Sequence, residues 1–130
     1  MGKRGFRELD VWQKAKELAV LVYRVSAKGS LSSDFGLRDQ IRRSAVSVAS
    51  NIAEGDERGS DRDAVRFFFI AKGSVAELRT QIAIAAESGL LEESAFQALE
   101  MQYETVGNMI GALIQARSRS FRPLPRASRP

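Results

Sequence analysis

The chain has 130 residues, a net charge of +4, and neither cysteine nor histidine. Its length predicts a single domain that buries a core without disulfides or metals. The missing residue types exclude thiolate chemistry and argue against zinc sites and a histidine general base, so we expect no enzyme, no metal and no cofactor. The N-terminal stretch MGKRGFRELDVWQ contains no secretory apolar segment, and no apolar run approaches the ~18 residues of a membrane span. We expect a cytoplasmic protein without a membrane partner.

The positive charge is concentrated near the C-terminus. Without the five arginines of residues 117–130, the chain has 15 basic residues against 16 acidic ones, so the remainder is close to neutral. The same segment contains three prolines and no apolar periodicity, which predicts that it is disordered when free. We therefore predict one folded domain over residues 1–116 and a basic tail over residues 117–130.

The first half of the chain carries two helical patterns. Helix one is predicted to begin at Asp10, a good N-cap residue, and to end at Gly29. Helix two follows a cap at Ser33 or Asp34 and ends at Gly55. Apolar residues recur in both helices at steps of three and four, as the core-facing stripe of a bundle requires. They are Val11, Ala15, Leu18, Val22 and Val25 in helix one, and Leu37, Ile41, Ala45, Val48 and Ile52 in helix two.

Two further helices are predicted in the second half, from Asp61 to Ser88 and from Glu92 to Arg117. Their apolar faces consist of Val65, Phe68, Phe69, Val75, Leu78, Ile82 and Ala85, and of Phe96, Leu99, Tyr103, Val106, Ile110 and Leu113. Gly73 interrupts helix three at a cost of about 1 kcal/mol relative to alanine, which indicates that another helix approaches closely there. Short connections favour antiparallel neighbours, so we predict an all-α, up-down-up-down antiparallel four-helix bundle.

One apolar run exceeds what a bundle core needs. Phe67, Phe68, Phe69 and Ile70 are consecutive and cover most of the circumference of helix three. A helix of an isolated bundle needs only one apolar stripe. At least one of these side chains must therefore face outward, and we interpret the run as the candidate interface of a homo-oligomer.

Polar residues recur beside the apolar stripes of helices two and three. A structural polar seam is predicted from Arg42, Asn51, Glu54, Glu77 and Gln81. Within it, Arg42 and Glu77 are expected to form an ion pair between helices or subunits, because a guanidinium binds a carboxylate at two points. The acidic turn between helices two and three is interpreted as two helix ends and not as a cation site.

Two groups of residues are candidates for nucleic-acid binding. The first group is Arg38, Arg42 and Arg43, of which Arg38 and Arg42, one turn apart, can grip phosphates from one helical face. Alternatively, these arginines pair with Glu54, Glu77 or Asp39 across helices or subunits, and the mixed charges of the segment favour pairing. In the tail, arginine is interleaved with serine and an aromatic residue, a pattern typical of segments that grip RNA or single strands by charge and stacking. These tail candidates are Arg117, Arg119, Phe121, Arg122, Arg126 and Arg129. The competing interpretation is a solubilising extension; if the tail drives binding, a chain cut after Ala116 loses most of its affinity.

Several motifs occur in an order that resembles one protein family. FGLRDQIRRSAVSVASNIAEG and AKGSVAELRTQ, with FRELDVWQKAKELAV before them and MIGALI after them, look like the 23S ribosomal RNA intervening-sequence proteins over residues 6–115. The resemblance implies a four-helix bundle that assembles as a ring, expected to be a homopentamer. A related group, the accessory variability determinants of diversity-generating retroelements, binds nucleic acid and a reverse transcriptase. The resemblance implies no particular biochemical activity, and it does not extend to the tail.

The function predicted from the residues and the resemblance is that of a nucleic-acid-associated accessory or adaptor protein. Several weak cationic sites on one ring would act together, so the ring would bind nucleic acid more tightly than any one site without needing a deep pocket. The expected partners are further copies of the chain, RNA or DNA, and possible protein partners. The alternative is a protein–protein interaction scaffold with no nucleic-acid role. Salt-sensitive binding of RNA or DNA separates the two.

Overall fold

The computed structural model describes residues 5–121, which form four α-helices in sequence. They are α1 (Asp10–Ser26), α2 (Phe35–Asp56), α3 (Asp61–Glu87) and α4 (Glu93–Ser118), with short 3-10 turns at Phe6–Glu8 and Ser30–Ser33. Over this range the chain contains no β-strand. The helices pack in the cyclic order α1, α2, α3, α4 and back to α1. This arrangement confirms the predicted all-α four-helix bundle with antiparallel neighbours.

Capping side chains set where α2 and α3 begin. The Asp34 carboxylate accepts a hydrogen bond from the Leu37 backbone N–H, and the Ser60 hydroxyl oxygen accepts one from the Asp63 backbone N–H, both at 3.2 Å. Each bond satisfies an amide that the first helical turn leaves without an intrahelical partner. Gly29, with a φ of 63°, turns the chain after α1 so that α2 runs back beside it.

Most residues of the predicted apolar stripes form the core, whereas Val25, Leu37 and Phe96 are only partly buried against it. Fully buried members include Leu18, Ile41, Ile52, Phe68, Leu78, Leu99 and Ile110. The prediction that Phe69 joins them is wrong, since it is 54% exposed. It follows Phe68 by one residue, which turns it about 100° away from the core. In α4 it is Ile114 that completes the buried stripe, while Leu113 is only partly buried.

Glycine marks one close contact between helices, but not the one that the sequence predicts. A Cβ atom at Gly55 would lie 2.7 Å from the Phe68 ring and 2.9 Å from the Ala64 carbonyl oxygen, so α2 and α3 approach closely there. Gly73 is exposed, and a Cβ atom there would meet nothing within 4 Å. The close approach predicted at Gly73 is therefore not made within this chain.

None of the four helices combines the length and the hydropathy needed to cross a membrane, as far as residues 5–121 are concerned.

Candidate nucleic-acid interface

The arginines at the start of α2 differ in how many contacts their guanidinium groups make with the rest of the bundle. Arg42 donates from Nε to the Ser26 hydroxyl at 2.7 Å, and its guanidinium lies over the Tyr23 ring at 4.5 Å. Arg38 pairs with Asp39 at 2.9 Å and lies over the Phe35 ring at 4.8 Å. These contacts hold both guanidinium groups against aromatic rings at the α1–α2 end of the bundle.

Arg43 is the least engaged of the three arginines. Its side chain is exposed and makes no hydrogen bond or ion pair with any residue between 5 and 121. The side chains of Arg24 and Lys28, near the C-terminal end of α1, are likewise exposed and make no hydrogen bond or ion pair within this range. Sequence reasoning had not assigned these two residues to the site. Only the return of α2 alongside α1 brings the end of α1 against the α2 arginines, as the hydrogen bonds of Arg42 to Ser26 and Tyr23 show.

The predicted ion pair between Arg42 and Glu77 is not formed within the chain, and its alternative form between subunits stays a prediction. Arg42 also donates to the Tyr23 carbonyl oxygen at 3.4 Å, so its guanidinium is bound to α1 and not to α3. Glu77 is exposed on α3. The error arose because sequence spacing shows which residues share a helix face, whereas the rotation of each helix in the bundle decides which neighbour that face meets.

A polar seam does join α2 and α3, but with a different membership. The Ser44 hydroxyl donates to Gln81 Oε1 at 2.9 Å, and the Ser47 and Ser74 hydroxyls are 2.8 Å apart. Asn51 donates from Nδ2 to the Ser47 carbonyl oxygen at 2.9 Å. Asn51 and Gln81 thus lie in the seam as predicted.

Glu54 lies outside this seam. It is exposed and pairs with Arg58 one turn further along, at 2.9 Å. Its assignment to the seam is therefore wrong, as are those of Arg42 and Glu77. The seam that remains consists of uncharged side chains, whose hydrogen bonds fix the packing of α2 on α3 without burying a charge.

The beginning of the predicted tail belongs to the bundle. Arg117 lies within α4 and forms an ion pair with Asp56 of α2, whose side chain is 1% exposed. The same guanidinium reaches Asp61 of α3 at 3.1 Å. The acidic turn therefore holds an arginine, and Arg117 is not available to nucleic acid. The predicted boundary after residue 116 falls before the end of α4 at Ser118.

Phe121 also belongs to the folded bundle. It packs against the core, and the Arg62 guanidinium lies 4.8 Å from its ring. Arg119 is exposed. The remaining tail candidates, Arg122, Arg126 and Arg129, lie outside the described residues, so their role stays a prediction.

The aromatic run of α3 divides into a buried and an exposed part. Phe68 is fully buried, which removes it from the candidate interface. Phe67 is partly buried, with the Arg58 guanidinium 4.3 Å from its ring. Phe69 and Ile70 are 54% and 50% exposed and remain interface candidates. The outward-facing apolar surface that the run predicts is therefore present, and its use as an interface stays a prediction.

One ionisable group on the other side of the bundle is perturbed. Burial of Tyr103, followed in size by the negative charge of Glu100, raises the pKa of the phenol, while Arg79 opposes the shift. Arg79 lies over the Tyr103 ring at 5.3 Å. In the part of the chain that the structure describes, no three acidic, histidine or cysteine side chains converge to hold a metal ion.

Comparison with known proteins identifies the family. The family model of the 23S rRNA-intervening sequence protein matches residues 7–112. The chain belongs to this family. The match confirms the resemblance seen in the sequence and ends before Arg117, so family membership carries no information about the tail. A search of curated proteins found no match.

A solved structure shares the fold of this family member. It is the crystal structure of a protein of unknown function from the S23 ribosomal protein family of Bacteroides thetaiotaomicron. The TM-score is 0.74 at 19% sequence identity, and the match covers 81% of this chain and 98% of that chain. At this identity the similarity establishes the common bundle fold and nothing further about function.

Proposed function

We propose that this protein is a non-enzymatic, cytoplasmic adaptor that assembles as a homo-oligomer and associates with nucleic acid. The observation that carries nucleic-acid association is a set of exposed cations without a carboxylate partner. Arg117 is bound by Asp56 and Asp61. In contrast, the side chains of Arg24, Lys28 and Arg43 are exposed and form no ion pair with a carboxylate among residues 5–121. Exposed, unpaired cations are the groups that contact phosphates.

The family supports this proposal in a general way. Its name connects it with the intervening sequences of 23S rRNA, which favours a nucleic acid as the partner without identifying the molecule. The protein of similar structure is described as having unknown function, so it adds no activity to transfer.

The outer face of α3 supports assembly into an oligomer, for which the resemblance suggests a pentamer. Phe69, Ile70 and Ile84 are each about half exposed, at 54%, 50% and 51%. Gly73 lies between them with open space above its backbone. Covering such a face with another copy removes apolar surface from water. In a ring, each copy also presents its cations next to those of its neighbours, so that weak phosphate contacts act together.

A second candidate function follows from the same α3 face. An exposed apolar helix is a docking surface for proteins whether or not nucleic acid is present. The alternative is therefore a protein–protein interaction scaffold in which the exposed arginines serve only solubility.

Binding of a labelled single-stranded RNA, followed by fluorescence anisotropy, tests the proposal. We expect the logarithm of the affinity to fall linearly with the logarithm of the salt concentration between about 50 and 200 mM, because each neutralised phosphate releases a counterion. Absence of binding by the full chain at the lowest salt would reject the nucleic-acid role and leave the scaffold.

A further inference from the structure

We propose that the outer face of α1 and α2 binds single-stranded nucleic acid, with bases stacked on its aromatic rings and phosphates held by the cations beside them. This inference rests on the proposed function and deepens it. It places the site on the bundle and not on the C-terminal tail, and it specifies single strands over duplexes.

The first observation is a row of aromatic rings, each with a cation over it. The pairs are Phe6 with Arg7 at 5.7 Å, Trp12 with Lys16 at 5.3 Å, Tyr23 with Arg42 at 4.5 Å, and Phe35 with Arg38 at 4.8 Å. Arg38 and Arg42 are one turn apart on α2, which places the last two pairs side by side. We call this surface the α1–α2 face.

The second observation is a groove that connects three of these four rings. Phe6, Trp12 and Tyr23 line one groove between α1 and α2. Small side chains, among them Ala19 and Ala49, form the rest of its wall together with exposed valines. The groove is therefore shallow and apolar, and an extended ligand can lie in it with its flat groups against the rings.

The third observation is the charge around the groove. Lys16 and Arg24 line it. Arg43 is exposed on α2, one helical turn before Val46 of the groove wall. Of the cations over the four rings, only Arg38 has a carboxylate partner among residues 5–121, its neighbour Asp39. A polyanion with flat apolar groups matches such a surface better than an ordinary protein helix, which would have to supply acids opposite each cation.

The exposure of the aromatic rings indicates whether the α1–α2 face binds single-stranded or double-stranded nucleic acid. Phe35 is 64% exposed and Tyr23 is 45% exposed. A free base can stack on such rings whatever its identity. In a duplex the bases are already stacked on one another and the rings cannot reach their faces. The α1–α2 face therefore prefers single strands.

The only tryptophan of the chain is Trp12, so its emission reports on this face alone. We would titrate the full chain with single-stranded oligouridine at low salt and follow both Trp12 emission and the anisotropy of the labelled strand. Binding should quench the emission. A duplex of equal length should bind more weakly and leave the emission unchanged.

Variants locate the contact. Phe35→Ala removes an exposed ring at the start of α2, and we expect an affinity loss of about fivefold to a hundredfold for the single strand but not for the duplex. Arg43→Gln should lower the salt slope by about one. Met101→Ala is the matched control, since Met101 is 72% exposed on α4, away from this face. Circular dichroism melts confirm that each variant is folded.

Three outcomes overturn the inference in different ways. If the strand binds without quenching and Phe35→Ala binds as tightly as the unaltered protein, the site lies elsewhere and the proposed function stands. If the full chain does not bind at all, both fail. If Phe35→Ala instead lowers the molar mass found by light scattering, the α1–α2 face is a contact between copies of the protein.

Discussion

Arg117, near the end of α4, forms an ion pair with Asp56 at the end of α2, and the carboxylate of this pair is almost completely buried. The guanidinium also reaches Asp61 at the start of α3 and lies 5.4 Å from the Phe68 ring. One side chain thus connects three helices at the end of the bundle where α2 meets α3.

Removing the acid of this pair should cost much more than removing an exposed one. We expect Asp56→Ala to lower the free energy of unfolding by about 3 kcal/mol, because the largely buried Arg117 would lose its buried partner and keep only the part-exposed Asp61. Glu54→Ala is the control, since Glu54 pairs with Arg58 on the surface, and we expect a loss of under about 1 kcal/mol. Urea unfolding measures both, and equal losses would show that burial does not govern the Asp56 pair.

Truncation should separate the folded end of α4 from the charged residues beyond it. A chain cut after Phe121 keeps Arg117 and the ring packed on the core, so we expect its melting temperature to be unchanged. A cut after Ala116 removes both and should lower the melting temperature by several degrees. Thermal melts followed by circular dichroism compare the two.

The same cut after Phe121 tests the tail as a contributor to nucleic-acid binding. It removes Arg122, Arg126 and Arg129. If each holds one phosphate of a single strand, the salt slope should fall in magnitude by about 2. An unchanged slope would identify the tail as a solubilising extension.

Assembly should depend on the outer face of α3. Light scattering of the unaltered protein should report several times the chain mass of 14.3 kDa. Phe69→Glu should reduce it to that of the monomer, since an unpaired charge would be buried in the interface. Met101→Glu introduces the same charge at an exposed position of α4 and should leave the assembly intact. A monomeric unaltered protein at micromolar concentration would contradict the prediction.

Two helical glycines should respond in opposite ways to alanine. At Gly55 a Cβ atom would collide with the Phe68 ring and the Ala64 backbone, and we expect a loss of about 1 to 3 kcal/mol in unfolding free energy. At Gly73 the space is open within the chain, so the monomer should gain up to about 1 kcal/mol from helix propensity. If a neighbouring copy packs against Gly73, the same substitution should weaken the assembly in light scattering.

The raised pKa of Tyr103 predicts a loss of stability in alkali. The ordinary pKa of the phenol is 10.0, and burial raises it in the folded state. Above pH 10 the unfolded chain therefore loses its proton more readily than the folded one, and stability should fall as pH rises towards the folded-state pKa. Tyr103→Phe should remove this part of the pH dependence while leaving stability near pH 7 similar. Urea midpoints measured from pH 8 to above pH 10 provide the check.

The positions of the helices could be predicted from the sequence alone, because local features determine them. The steps of three and four between apolar residues, together with the caps at Asp34 and Ser60, place four helices whose bounds in the structure differ from the predicted ones by only a few residues. These features act within a few residues of each other along the chain. The core stripes and the family could be identified for the same reason.

Only the tertiary structure decided which partner each polar side chain has. Arg42 hydrogen-bonds to α1 instead of pairing with Glu77 in the same chain. Arg117 belongs to the bundle instead of the tail, because it forms an ion pair with Asp56. Tyr23 and Arg42 are 19 residues apart, so no local spacing predicts that they stack. The rotation of each helix about its axis is set by the packing of the whole core, and it determines which charges are paired and which remain exposed on the α1–α2 face.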